Sequence, residues 1–207
     1  MPRTVDYWFT LVSPWAFLGH QAFLDLAQAH GAAVRFKPVE LSEVFPHTGG
    51  LPLPKRHPAR QRYRLIELQR WREKRGLSFK LHPRHWPFDG KLADGIVVAA
   101  VLDGLNPEPF MRLGYKSVWE DERNLADPAI LIELADAAGL PGKALLARAA
   151  TAEVADAYEQ NRQDAIESGV FGSPGFVLNG EPFWGQDRID MLADALRTKR
   201  APYRSDV

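Results

Sequence analysis

Val5-Asp6-Tyr7-Trp8-Phe9-Thr10-Leu11-Val12-Ser13-Pro14-Trp15-Ala16-Phe17-Leu18-Gly19-His20 changes character at Ser13. Up to Val12 it is aromatic and β-branched, as a buried strand is. Beyond Ser13 the spacing is helical, with Trp15, Leu18, Ala22 and Leu26 on one side and Gln21, Asp25 and Gln28 on the other. Ser13 is a preferred N-cap, and Pro14 suits the first helical position, where its missing N–H would have had no partner. A strand therefore ends where a helix begins, with a hydroxyl at its mouth. A helix N-terminus offers unpaired N–H donors and a partial positive charge, so an anion such as a thiolate is stabilised there. Ser13 reads either as this kind of site or as a cap alone.

The 207 residues suit one domain, or one domain with a large insertion. Hydrophobic residues make up 45%, enough for a core. A formal net charge of zero argues against a general nucleic-acid or membrane-surface binder. No apolar run is long enough to cross a bilayer. Met1-Pro2-Arg3-Thr4 leads straight into the strand, so no signal peptide is expected, and a cytoplasmic location is the default. The sequence contains no cysteine. It has no disulfide, thiolate nucleophile or cysteine metal site of its own, and any sulfur chemistry requires an imported thiol.

Gly31 is expected to stop the first helix, and Ala33-Val34-Arg35-Phe36-Lys37-Pro38-Val39 alternates as a strand. Strand, helix, strand predicts a parallel pair joined by a crossover. From Leu41 to His57 the prolines and Gly49-Gly50 predict an irregular wall beside the Ser13 end. Ala59 to Arg75 reads as a basic helix, either a solvated face or an attractor of an anionic small molecule. His82 and His85 lack the partners of a usual zinc site, and no metal is expected. Further helices are expected over Leu92–Leu105, Pro109–Asp121, from Asp127-Pro128, over Lys143–Ala150, and from Thr151 to Glu167. Phe176-Val177-Leu178, Asn179-Gly180 and Glu181-Pro182-Phe183-Trp184 then form a hairpin signal, with Pro182 marking an edge strand or a strand start. Gly185-Gln186-Asp187 opens a last helix.

The order is βαβ, a helical block, then ββα. This is an α/β class, the thioredoxin-like βαβ…ββα fold with a large all-helical insertion. Residues 1–58 and 169–207 form the expected thioredoxin-like domain, and 59–168 the insertion. Such folds carry Cys-Pro-x-Cys at the first helix and a cis-proline before the third strand. Here Ser13-Pro14-Trp15-Ala16 and Ser173-Pro174 stand at those places, so exchange by the protein's own dithiol is excluded.

On these residues the sequence resembles the DsbA-like thioredoxin superfamily, specifically the 2-hydroxychromene-2-carboxylate isomerases and the neighbouring kappa-class glutathione transferases. The matching pieces include Asp6-Tyr7-Trp8-Phe9, Ser13-Pro14-Trp15-Ala16-Phe17-Leu18, Leu68-Gln69-Arg70-Trp71, Gly169-Val170-Phe171-Gly172-Ser173-Pro174 and Phe183-Trp184-Gly185-Gln186-Asp187-Arg188. The resemblance implies glutathione as the imported thiol. Its thiolate would lie against Ser13, the catalytic residue. Its cysteinyl backbone would pair with Ser173 before a cis-Pro174, and its γ-glutamyl end would meet Gln186 and Asp187. The implied reaction is glutathione-dependent isomerisation of a small aromatic substrate of aromatic catabolism, in a homodimer. A kappa-like transferase and a non-catalytic thioredoxin-like binding protein are the alternatives. The sequence departs from the family twice. The Gly49–Pro54 loop holds no asparagine, and Gly175 follows the proline where a larger residue is usual, which predicts a wider pocket.

Overall fold

The computed structural model describes residues 3–206. Strand β1 (Thr4–Phe9) leads through helix α1 (Pro14–Ala29) into β2 (Ala33–Pro38), which pairs parallel to β1. Then come α2 (Leu41–Thr48), α3 (Pro58–Arg75), α4 (Lys91–Leu102), α5 (Glu108–Trp119), α6 (Pro128–Ala137), α7 (Gly142–Ala149) and α8 (Ala152–Glu167). Strands β3 (Gly175–Leu178) and β4 (Glu181–Trp184) form a hairpin, followed by a single 3₁₀ turn (Gln186–Arg188) and α9 (Ile189–Thr198). The sheet order is β2-β1-β3-β4, with β3 antiparallel to β1. This is the expected thioredoxin-like α/β arrangement, carrying a long helical segment between its two halves.

Local chemistry explains the punctuation. Asn179 and Gly180 both have positive φ, 52° and 83°, the pair that a tight hairpin turn requires. Pro182 pairs with Val177 on β4, an outer strand of the sheet, where a missing N–H leaves no interior ladder bond unmade. Asp127 and Thr151 cap α6 and α8, accepting from the Ala129 and Val154 N–H groups.

The period of two along β1 divides the core. Val5, Tyr7 and Phe9 share one cluster with Phe23 of α1, Phe176 of β3 and Leu192 of α9, while Trp8 turns the other way to Val177, Ala165 of α8 and Val44 of α2. The rings of Phe23 and Phe176 are 4.5 Å apart, and those of Tyr7 and Phe176 5.4 Å. Each such side chain contributes about 1.5–3 kcal/mol through burial. The first cluster also takes in Ile96 of α4 and Tyr115 and Trp119 of α5, so the long helical segment packs directly on the sheet's own core.

One expectation needs correction. Residues 41–48 form a helix rather than an irregular wall. Pro46 sits inside it and removes one main-chain bond from an eight-residue element that ends at Gly49, φ 75°. The remainder, from Gly50 to His57, holds only the single turn Leu53–Lys55.

Candidate active site

β1 delivers the chain to Thr10, and the turn between it and α1 is held from several directions. The Ser13 N–H donates to the Thr10 carbonyl at 3.0 Å, and the Val12 N–H to Thr10 Oγ1 at 3.3 Å. The Leu11 N–H donates to Asp94 Oδ1 of α4 at 2.9 Å, and the Tyr158 hydroxyl of α8 donates to the other oxygen, Oδ2, at 3.1 Å. The Trp86 indole N–H reaches the Val12 carbonyl at 2.9 Å, and the Tyr115 hydroxyl the Thr10 carbonyl at 3.4 Å. Gly90 packs so closely that a Cβ there would stand 2.5 Å from Val12 Cγ2.

Ser13 caps α1, its Oγ accepting from the Ala16 N–H at 3.2 Å. Its hydroxyl also donates to the Ser173 carbonyl at 3.2 Å. The Thr10 N–H donates to Ser173 Oγ at 3.3 Å, so the two serines bind each other's neighbourhoods in both directions. The Ser173–Pro174 peptide bond is cis, as expected. The Ser173 N–H forms no hydrogen bond with the described residues. The Gly185 N–H donates to the Pro174 carbonyl at 2.9 Å, tying the start of the final turn to the cis-proline segment.

The five residues singled out in the sequence thus divide. Ser13, Ser173 and Pro174 meet in one network. Gln186 is joined to it through Gly185, yet faces inward. It is 2% exposed, its Oε1 accepts from Arg75 Nη2 at 3.2 Å, and its Cβ lies 2.5 Å from where a Gly19 Cβ would stand. Asp187 is exposed and pairs with Arg188 at 2.6 Å. Gly175 does not widen a pocket. A Cβ there would meet Val170 Cγ1 at 3.0 Å and the Gly172 carbonyl at 3.1 Å, so the chain's own packing uses that space. Two open surface hollows, one lined by Gln21, Asp25 and Arg112 and the other by Arg72, Lys80 and Glu120, include neither Ser13 nor Ser173.

Asp94 is the residue that sequence reasoning missed. It is 1% exposed, and burial pushes its carboxyl up to about 7 against the opposing pull of the Leu11 N–H, Thr10 and Tyr158 bonds. Burial likewise raises the Tyr158 phenol well above its usual range. The signal was present, since Asp94 interrupts the apolar run from Ala93 to Leu102.

Chemically, the Ser13 hydroxyl sits at a helix N-terminus whose dipole favours negative charge. With no cysteine in the chain, it faces the backbone of a cis-proline segment with an unengaged N–H. Such a site can receive an extended thiol-bearing peptide and hold its sulfur as an anion; it cannot exchange a disulfide by itself.

Fold and site together define a thioredoxin-like protein that keeps the turn and the cis-proline strand without the dithiol. The family model described as a DSBA-like thioredoxin domain matches residues 4–197, and the chain belongs to that family. A 2-hydroxychromene-2-carboxylate isomerase from Sphingobium xenophagum is 26% identical over 95% of this chain and 99% of its own length. Glutathione S-transferase kappa 1 from Homo sapiens is 24% identical over 96% of this chain and 93% of its own. A solved structure of a 2-hydroxychromene-2-carboxylate isomerase has the same fold, with a TM-score of 0.81, 22% identity and 95% of both chains covered.

Proposed function

We propose that the protein is a glutathione-dependent isomerase of an aromatic carboxylate related to 2-hydroxychromene-2-carboxylate. One observation carries the reading. In a chain without cysteine, the Ser13 hydroxyl stands at the α1 N-terminus and bonds the carbonyl that precedes cis-Pro174. The names of the relatives supply the substrate class and the thiol.

Glutathione, when bound, supplies a thiolate that adds reversibly to a conjugated double bond, lets it rotate, and departs unchanged. Ser13 holds the sulfur as an anion. Its proton turns from the Ser173 carbonyl to the sulfur, while its lone pair keeps the Ala16 N–H. The Ser173 N–H and carbonyl then offer one donor and one acceptor to a cysteinyl backbone, as a strand edge does. Asp187, on the surface beyond Gly185, would accept from the γ-glutamyl ammonium in exchange for its pairing with Arg188. Gln186 shapes the site from below through its contacts to Arg75 and Gly19. Ser13 itself is no nucleophile, because no base touches its oxygen among the described residues.

A kappa-like transferase is the second reading, favoured by the human relative. Both require glutathione to bind the folded chain. At 100 times its Kd, glutathione should then raise the unfolding free energy by about 2.7 kcal/mol, read as a higher melting temperature. No rise at any glutathione concentration would reject both readings and leave a non-catalytic thioredoxin-like binding protein. With glutathione and 2-hydroxychromene-2-carboxylate together, isomerisation leaves free thiol constant, whereas transfer consumes it.

A further inference from the structure

Arg56, Arg60 and Arg64 form a cationic face at the start of α3. Arg60 and Arg64 are four residues apart and share one side of the helix. Among the described residues none of the three has an ion pair. The nearest acid along this helix, Glu67, is taken by Arg70. Arg56 instead spends its Nε on the Leu51 carbonyl at 2.7 Å. Arg64 is half-buried, and its guanidinium lies 5.1 Å from the centre of the Trp86 ring. That indole donates to the Val12 carbonyl at 2.9 Å, one residue before Ser13. Arg64 is thus separated from the Ser13 turn by one aromatic side chain.

An unpaired cation that the fold partly desolvates, beside like charges, is an unfavourable arrangement. Burial first, and then the Arg56 charge, push the Arg64 guanidinium down to about 10. Arg56 is pushed down as well, by burial and by Arg60. The Trp86 ring face offsets only part of this cost, and no carboxylate among the described residues offsets the rest. An anion docking on this face supplies an acid partner, and a guanidinium fork beside an indole suits a planar carboxylate on an aromatic ring.

We propose that Arg64, supported by Arg56 and Arg60, binds the carboxylate of a small aromatic acid beside the Ser13 turn. The proposal deepens the isomerase reading. It depends on that reading only for the idea that a thiolate acts on the same molecule, not for the binding itself. Trp86 would stack against Arg64 and fix the position of the carboxylate relative to Val12 and Ser13.

The test is titration calorimetry with chromone-2-carboxylate and its uncharged amide, without and then with glutathione. The wild type is expected to prefer the carboxylate by roughly 10-fold or more, the worth of a charge-assisted bond. Arg64→Gln should abolish that preference while leaving the amide affinity and the melting temperature in place. Arg64→Lys, which keeps the charge, should retain part of it. The proposal is overturned if Arg64→Gln binds the carboxylate as the wild type does, or if Arg64→Lys binds it no better than Arg64→Gln. It is also overturned if Arg64→Gln weakens glutathione alone, since the face would then serve the glycyl carboxylate of glutathione. Carboxylate preference in a protein that fails to bind glutathione would reject the isomerase reading and leave this site standing.

Discussion

The Thr10–Ser13 turn and the Arg56–Arg64 face adjoin one another through Trp86, and they treat polar groups in opposite ways. In the turn, Thr10, Leu11, Val12 and Ser13 each engage a partner through backbone or side chain; those partners come from α4, α5, the Trp86 loop and the cis-proline segment, and Tyr158 of α8 in turn holds Asp94. On the arginine face, three cations stand together with no acid to meet them among the described residues. Groups satisfied within the fold hold geometry fixed; groups left unsatisfied are available to a ligand. A buried donor left without its acceptor costs about 1–3 kcal/mol, which is why the turn is so thoroughly bonded.

The largest effect expected from breaking the turn is a pH effect. A carboxyl whose pKa rises on folding binds more protons folded than unfolded between the two values. Its contribution to stability is complete below its unfolded pKa, about 4, and is lost as pH climbs through about 7. The wild type should therefore lose on the order of 3–4 kcal/mol between pH 4 and pH 8 from Asp94. Asp94→Asn, which keeps an acceptor for the Leu11 N–H, should flatten that part of the profile in urea unfolding. An unchanged slope would mean that Asp94 stays ionised throughout, with the Leu11 and Tyr158 bonds outweighing burial.

Next in size is Gly19→Ala. Its Cβ would stand 2.5 Å from Gln186 Cβ and 3.3 Å from Gln186 Cα, and the backbone cannot swing aside as a side-chain tip can. Overpacking of this kind costs about 1–3 kcal/mol. It should lower the denaturant midpoint and weaken glutathione binding together, because Gln186 carries Asp187 with it. A stable variant with normal affinity would show that the turn at Gln186–Arg188 can move without disturbing the site.

How far the sequence reaches is clear from these residues. The Ser13 cap, the Asn179-Gly180 hairpin and the edge position of Pro182 rest on chemistry confined to a few neighbours, and all three were legible. The thioredoxin-like order followed from them. The partners of the turn were not legible. Asp94 is 83 residues from Leu11, and Trp86 is 74 from Val12, distances over which no local pattern speaks. The helix Leu41–Thr48 was hidden by Pro46, whose cost is one bond in an element too short for periodicity to register. The inward packing of the Gln186 side chain was not legible, because adjacent residues in a turn cannot be assigned inward or outward without the packing of Gly19 and Arg75.

The arginine face should yield the smallest effect. Arg64→Gln removes a cation with no acid partner, whose contact with Trp86 is set against partial burial and neighbouring like charges, so unfolding free energy should change by no more than about 0.5 kcal/mol. A loss above about 1 kcal/mol would place Arg64 among the structural residues, with its stacking on Trp86 as the reason.

The most direct measurement concerns Ser13, where the two regions' logic meets in one hydroxyl that is satisfied by Ser173 and yet is read as a donor to sulfur. The ultraviolet absorbance of the thiolate, followed against pH in the glutathione complex, gives the pKa of the bound thiol, which is about 8.5 for a free thiol of this kind. Wild-type protein should lower it. Ser13→Ala keeps the α1 dipole but not the hydroxyl, so the bound thiol should titrate higher and isomerisation should slow, while glutathione still binds. If Ser13→Ala leaves both the titration and the rate unchanged, the hydroxyl serves only Ala16 and Ser173, and Ser13 is a helix cap without a part in the chemistry.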